Sequence, residues 1–456
     1  MIELHQTQYP GTENKPKRAI FVGLDFGTAF TKVVIAGTSD SYAIKLRPHL
    51  RGIDAYLQPC LLGIDANGHF HLVDKVTDAA VMHNLKLALI EDPLSIEARS
   101  NAAIYLALVL QQARQHFLWE YKDILHNNQL VWHLNIGLPA TTYDKRNLKD
   151  SFYAVAEIAW MLSVLNFSNY PSLNLVAKSL LNDTNNIDLI ISPDEKNRLI
   201  HKDRLGILPE VQAITVSYAT SQQRRDGLHL LVDVGAGTLD LNLFALVGLK
   251  NDDRYVSHHA DVLPLGSVYL SRHRIKKLKN NHLTNADKSL NCYNEYNALL
   301  GRRELSSLLK LTIEDIELID GTFLNEVGST IYHAMANLKI KTGNSVHRWR
   351  ESVLPAFLAG GGSLDEAYHG RLRLVNRDMK ANGMAGLDIR PLPLPSRLKD
   401  FDVPEPDQDF HRIAVAYGLT YDLINIGDFI PTSQIPYKTT SDTEKREAYY
   451  ILKEYT

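Results

Sequence analysis

Within eight residues, Asp25 to Lys32, the chain places a carboxylate, a glycine, two threonines and a lysine. The apolar run before Asp25 reads as a strand, Gly27 sits in a tight turn, and Val33-Val34-Ile35 continue as a second strand. Such a turn suits a phosphate. Asp25 can hold a magnesium ion through its waters, because Mg²⁺ takes oxygen ligands and gives up its hydration reluctantly. Gly27 lets the backbone N–H groups of the turn, with Thr28 and Ala29, come close to an anion. Thr28, Thr31 and Lys32 add donors and a positive charge. Taken alone, the same residues also describe an ordinary hairpin.

Roughly two hundred residues later the layout returns in Leu228 to Leu246. An apolar strand runs to Asp233, then Gly235-Ala236-Gly237-Thr238 form a turn, and Asp240 opens the next strand. A third glycine-rich turn, Gly360-Gly361-Gly362-Ser363, follows the apolar run Leu354 to Ala359. Two matching strand–Asp–turn–strand units predict two similarly built halves, at a period too long for a solenoid.

The elements that position these residues read as alternating strands and helices. Leu130 to Gly137 is an apolar strand, closed by Leu138-Pro139-Ala140. Helices are expected over Val76 to Ile90, Asn101 to Trp119, Asp144 to Leu165, Glu210 to Tyr218, Thr322 to Ile340 and Arg412 to Ile424. Leu61 to Val73 is a hairpin around Asp65 to Gly68, Ala260 to Leu265 a strand, and Arg390 to Gln408 a proline-rich loop. Residues 1–17 read as a flexible arm. Thr443 to Tyr455 is an amphipathic tail suited to partner binding or assembly.

At 456 residues the expectation is two or three domains, and 22% charged with 45% hydrophobic residues is a globular balance. A net charge of −3 gives no general attraction to nucleic acid or an anionic membrane. Cys60 and Cys292 are too few and too far apart for a disulfide framework. With no apolar span of membrane length and no apolar leader, a cytoplasmic protein is expected. Cys60, His69, His71 and His83 fit no zinc spacing. The basic run Arg272 to Lys279 reads as a solvated helix face or a cleft rim rather than a nucleic-acid site.

Taken together, the motifs resemble the actin, sugar-kinase and heat-shock-chaperone ATPase superfamily across about residues 18–427. Asp25 to Lys32 is similar to its first phosphate loop, and Asp233 to Asp240, an Asp-x-Gly-x-Gly-Thr-x-Asp pattern, to its second. Glu210, opening an apolar helix, is similar to the first connecting helix, and Ala414 to Gly418 to the second. Leu358 to Ser363 is similar to the adenosine motif. The resemblance implies an α/β fold of two ribonuclease-H-like halves with the nucleotide cleft between them. It further implies ATP or ADP as ligand and Mg²⁺ held by Asp25 and Asp233, through water. On this basis Gly27, Thr28, Ala29, Thr31, Lys32, Gly235, Ala236, Gly237, Thr238 and Gly360 to Ser363 contact the nucleotide. An adenosine passing over backbone needs Gly360, Gly361 and Gly362, and a helix starting after them brings N–H groups near the ligand. Catalysis falls to Asp25, Asp233, Glu210 as the residue orienting water, and Lys86, whose segment is similar to the chaperones' catalytic lysine. Asp240 assists the metal or the water, or else caps a turn. Arg302, Arg303 and Ser306 bear a weaker likeness to the chaperones' adenosine-contacting helix.

The domain plan that follows places domain I at 18–227, with a small inserted subdomain at about 40–130. Domain II spans 228–409 with a helical insert at about 270–345, the second connecting helix 410–427 packs back on domain I, and 428–456 is a tail. About 38 residues follow Gly418, too few for the chaperones' peptide-binding domain. Glu210 is followed by Val211 where the chaperones have proline, which bears on hydrolysis more than on binding. The expected function is an ATPase switch whose nucleotide state governs a protein partner. The alternatives are an ATP-dependent filament of the segregation or cytoskeletal type, a non-hydrolysing nucleotide sensor, and a sugar or metabolite kinase. No membrane and no direct nucleic-acid contact are expected.

Overall fold

The computed structural model describes residues 3–74, 81–143, 145–167, 172–191, 196, 198–248, 254–280, 301–342, 353–422 and 426–435. Cys292 and the Thr443 to Tyr455 tail lie outside the described residues. The chain divides into two compact units, Met1–Gln223 with Pro393–Ile426, and Arg224–Leu392 with Gly427–Thr456.

The sheet of unit 1 is built from β1 (Lys17–Phe26), β2 (Phe30–Ala36), β3 (Ser41–Ala43), β4 (Gln129–Leu138) and β5 (Leu205–Pro209). Their order is β3-β2-β1-β4-β5. The pairs β1–β2 and β2–β3 are antiparallel, whereas β1, β4 and β5 run parallel. The helices are α1 (Leu85–Glu91), α2 (Ile96–Glu120), α3 (Arg146–Ser163), α4 (Leu173–Asn182) and α5 (Glu210–Ala219), with a short one at Ala414–Gly418.

Strand alternation assigns the two faces of this sheet. Ile20, Val22, Leu24 and Phe26 of β1 share one core with residues of α2, α3 and α4. Gly23 and Asp25 face the other side, where α5 and the Ala414–Gly418 helix pack. Backbone meets backbone there. A Cβ on Gly23 would come within 2.0 Å of the Ala416 oxygen, and one on Gly418 within 1.9 Å of the Ala213 oxygen. Asn135 of β4 closes this layer by donating to the carbonyls of Leu419 and Tyr421 at 2.8 and 3.0 Å.

Several sequence expectations need correction. Residues 3–16 are no flexible arm but a strap across α2 and β4. Arg114 donates to the Gln6 carbonyl at 2.7 Å, Trp132 to that of Thr7 at 2.8 Å, and the buried Tyr9 hydroxyl to that of Leu118. The stretch 40–130 is no separate subdomain: Leu62, Leu85 and the apolar residues of α2 belong to the same core as β1. The expected hairpin around Asp65 to Gly68 forms, pairing Leu62–Ile64 with Phe70–Leu72, and Val81–Met82 completes a small sheet. Residues 393–409, placed in domain II from sequence, belong to unit 1, where Leu398–Lys399 pairs with β3.

Unit 2 holds β6 (Gly227–Val234), β7 (Leu239–Val247), β8 (Arg254–Leu263), β9 (Leu354–Ala359) and β10 (Leu387–Arg390), in the order β8-β7-β6-β9-β10. Pairs β6–β7 and β7–β8 are antiparallel and β6, β9, β10 parallel. This is the strand order and sense of unit 1. Residues Asp428–Ile430, assigned to a tail, add a parallel strand beside β8. The helices are α6 (Ser267–Asn280), α7 (Arg302–Leu309), α8 (Ile313–Thr342) and α9 (Glu366–Ala381). Apolar residues of α6, α8 and α9 cover the face carrying Leu230, Val232 and Val234. The helical insert is therefore only partly separate: Leu278, Leu305 and Ile316 make a satellite cluster, while the later turns of α8 sit in the main core.

On the opposite face of β6, His229 is fully buried between the rings of Phe244 and Phe357, at centroid distances of 5.2 and 6.4 Å. Burial pulls its pKa from 6.5 down to about 4, against the smaller opposing pull of its Gly227 carbonyl contact. The unfolded chain therefore takes up the proton first as pH falls below 6.5. Stability present above that value is lost progressively down to pH 4, by about 3 kcal/mol in all. Melting curves of wild type and His229→Phe between pH 7 and pH 4 check this: the wild type should lose stability more steeply, and parallel curves would exclude it.

Candidate functional site

Each sheet carries its candidate residues at the carboxyl ends of its parallel strands, where open α/β sheets place their ligands. In unit 1 the register aligns Leu24 with Ile136, and Gly137 with Leu208. Asp25, Gly137 and the Leu208–Glu210 corner are therefore level. Parity places Asp25 and Gly137 on the same face. Strand spacing puts β1 and β5 about 10 Å apart across β4.

Glu210 starts α5 directly after β5 and lies against Gly137, whose absent Cβ would fall 2.8 Å from the Glu210 Cγ. Lys86, in the first turn of α1, reaches over and donates to Glu210 Oε1 at 2.7 Å. Both side chains are largely buried, 7% and 14% exposed. The contact fixes the orientation of a carboxylate that could otherwise take several rotamers. The expected helix over Val76 to Ile90 is shorter: it begins at Leu85, after Asn84 in the left-handed region at φ 57° and the strand Val81–Met82.

The first hairpin has Asp25 directly opposite Lys32. Lys32 Nζ lies 2.9 Å from Asp25 Oδ2, and the carboxylate is buried. Thr28 and Ala29 are half-buried at the turn with Gly27. Thr31 differs from its assignment. It is fully buried, on the parity of Val33 and Ile35, so its hydroxyl faces the core rather than the turn. A strand's two-residue period makes this unavoidable once Lys32 faces the other side.

The second hairpin repeats the geometry with different charges. Asp233 pairs with Asp240, at the positions held by Asp25 and Lys32 in the first. Two carboxylates directly opposite on one face repel, and such an oxygen pair suits a hard divalent cation. Asp233 and Asp240 offer oxygen donors of the kind Mg²⁺ takes, and Asp25 is ion-paired with Lys32. Groups of three or more metal-ligating side chains are absent among the described residues.

The turn of this hairpin is preorganised. The Gly235 and Ala236 carbonyls accept the Ser267 and Val268 N–H groups of α6 at 3.0 and 2.9 Å. Because a trans peptide sets its N–H opposite its C=O, the Ala236 and Gly237 N–H groups are aimed away from α6. Gly235 N–H closes the turn on the Thr238 carbonyl at 2.8 Å. Backbone N–H groups of a turn, where they converge, suit an anion.

On the neighbouring strand β9, Asp233 aligns with Ala359 and the chain then turns at Gly360. Gly360 has φ 81° and ψ 163°, backbone that is essentially glycine's alone. Its Cβ would fall 2.1 Å from the Asp233 Oδ1. Gly361 to Leu364 form a 3-10 turn, and the Ser363 hydroxyl donates to the Gly360 carbonyl at 2.8 Å. Helix α9 begins only after this turn, and its Ala367 N–H is taken by the Asp365 side chain at 2.8 Å. Its N-terminus thus brings its own anion.

The weaker assignments resolve differently. Arg302 is drawn inward to Asp320 and Glu317, at 3.0 and 2.7 Å, and the Ser306 hydroxyl donates to the Leu311 carbonyl. Arg303 is largely exposed. Arg274, in the basic run, is no solvated residue. It is buried between Asp320 and Asp365; burial works against its charge, but the two carboxylates outweigh that and hold its pKa above the ordinary value. Cys60 is no metal ligand in waiting: burial pushes its thiol up to about 12. Sequence reasoning missed Gly137 and Asp365. Only the strand ending at Leu138 and the Asp365-Glu366 start of a helix hinted at them.

No protein-family model matches the chain, and no curated protein matches it either. No helix among the described residues is long and apolar enough to cross a membrane.

The Lys86–Glu210 contact should be energetically coupled, because removing one partner leaves the other charged in a largely buried place. Lys86→Met and Glu210→Gln should each destabilise unit 1, and the double variant should recover about 1–3 kcal/mol relative to the sum. Urea unfolding of the four proteins measures this coupling, and additivity within error would exclude it.

Proposed function

We propose that the protein is a Mg-ATP-binding ATPase switch of the actin-like or chaperone-like type, with the hairpin of each unit serving the phosphates. One observation carries the reading: two units share a strand order, and in both an aspartate stands one residue before the end of the first strand, followed by a glycine turn. A phosphate-binding purpose accounts for that coincidence, since an anion with its metal needs close backbone and a carboxylate at one edge. Lys32 supplies positive charge to the phosphates. Asp233 with Asp240 holds Mg²⁺, whose chemistry is to neutralise phosphate oxygens in the transition state. Glu210, oriented by Lys86, positions the attacking water. The Gly360 to Ser363 turn offers backbone to the nucleoside. Nucleotide state then alters the surface presented to a protein partner.

A cytomotive filament is the second reading. It shares the same site and is favoured by Lys32, a residue type that the actins often place at this position. ATP-dependent sedimentation separates the two readings, since a switch stays in the supernatant at all concentrations.

Purified protein should hydrolyse ATP in the presence of Mg²⁺. Asp233→Ala should lower turnover by about 10²-fold or more, as expected for removing a group that stabilises developing charge. Lys32→Ala should weaken ATP binding with a smaller effect on the bound rate. Unchanged turnover in folded Asp233→Ala would sink the assigned site. Tight ATP binding without turnover would make the protein a nucleotide sensor instead.

A further inference from the structure

In unit 2 one helix touches both ligand-facing turns. The first N–H groups of α6, from Ser267 and Val268, donate to the carbonyls of Gly235 and Ala236 in the hairpin turn. Seven residues on, about 10 Å along the helix, Arg274 donates Nη1 to Asp365 Oδ2 at 2.9 Å. That carboxylate's other oxygen accepts the Ala367 N–H, and the Asp365 N–H donates to the Gly362 carbonyl at 3.1 Å. The bonds therefore run without a break from the Gly235–Thr238 turn, through α6, to the Gly360–Leu364 turn.

The remaining donors of Arg274 lock it in place. Nε and Nη2 grip the two oxygens of Asp320 at 2.7 and 2.8 Å. Its side chain is 2% exposed, those of Asp320 and Asp365 0% and 1%. A buried charge group of this kind is rarely more stabilising than apolar packing. What a planar guanidinium adds is direction, since its donors lie in a fixed fork.

We propose that Arg274 is a positioning residue for nucleotide binding: through Asp365 it holds the Gly360–Leu364 turn in register with the hairpin turn. The inference rests on the Mg-ATP reading and deepens it. A nucleoside triphosphate needs both turns at once, whereas a bare polyphosphate needs only the hairpin. Arg274 therefore governs affinity for the nucleoside part.

The test uses the full chain with Arg274→Lys, which keeps the charge but loses the fork, and Asp365→Asn, which keeps an oxygen for the Ala367 N–H. Hydrogen exchange without ligand is measured at residues 361–368, and calorimetry gives affinities for Mg-ATP and Mg-tripolyphosphate. In both variants exchange in the turn should rise about tenfold, with β7 and β8 unchanged. ATP affinity should fall about tenfold while tripolyphosphate affinity stays the same. Unchanged exchange in either folded variant overturns the proposal, as does equal weakening of both ligands. A merely structural role would lower the melting temperature without this split. If wild type binds no ATP, the functional reading fails, and the exchange measurement still decides by itself whether Arg274 holds the turn.

Discussion

A carboxylate near the end of a strand needs room beside it, and in both units a glycine near the end of the neighbouring parallel strand, or just past it, leaves room for one. Asp25 is level with Gly137, and the Asp233 side chain lies against Gly360. In unit 2 the consequence is severe: Gly360 takes backbone that other residues rarely adopt, and any side chain there would displace Asp233. In unit 1 the space over Gly137 is filled by Glu210 instead. The position of Glu210 depends in turn on α5, which is seated by the backbone contact between Ala213 and Gly418, next to the contact of Gly23 with Ala416. Glycines distant in sequence thus set the place of one candidate carboxylate.

The same scaffold carries opposite chemistry at its two edges. Asp25 faces Lys32 while Asp233 faces Asp240, at matching register positions. The first pair is an ion pair of opposite charges, and the second sets two carboxylates at the same place.

Much of this was legible in sequence where the signal is local. Both hairpins, the apolar strand Leu354–Ala359 and the turn at Gly360 follow from strand periodicity and glycine placement. Non-local pairing was not legible. The polar composition of residues 3–16 reads as an unattached arm, yet Arg114, Leu118 and Trp132 bind it from more than a hundred residues away in sequence. Arg302 reads as a candidate adenosine contact and Arg274 as part of a solvated helix face or cleft rim, because nothing local announces Asp320. Thr31 was misplaced for a simpler reason. A turn residue can face a ligand, but the next residue in a regular strand obeys the two-residue alternation, and Lys32 had already claimed the outer face.

The buried charges of unit 2 bear on how a duplicated fold becomes specialised. Unit 1 orients its carboxylate by a single lysine from a short helix, Lys86 onto Glu210. Unit 2 ties its turn to a larger group in which Arg274 and Arg302 balance Asp320 and Asp365. Because the two positive and two negative charges cancel, the group can be buried without a large uncompensated field. Because every bond has a direction, it tolerates little sliding among α6, α7, α8 and the start of α9. Apolar residues at the same places would have packed these helices as firmly and left their register looser. The Gly360–Leu364 turn is therefore held through Asp365 by a charged cluster spread over several helices.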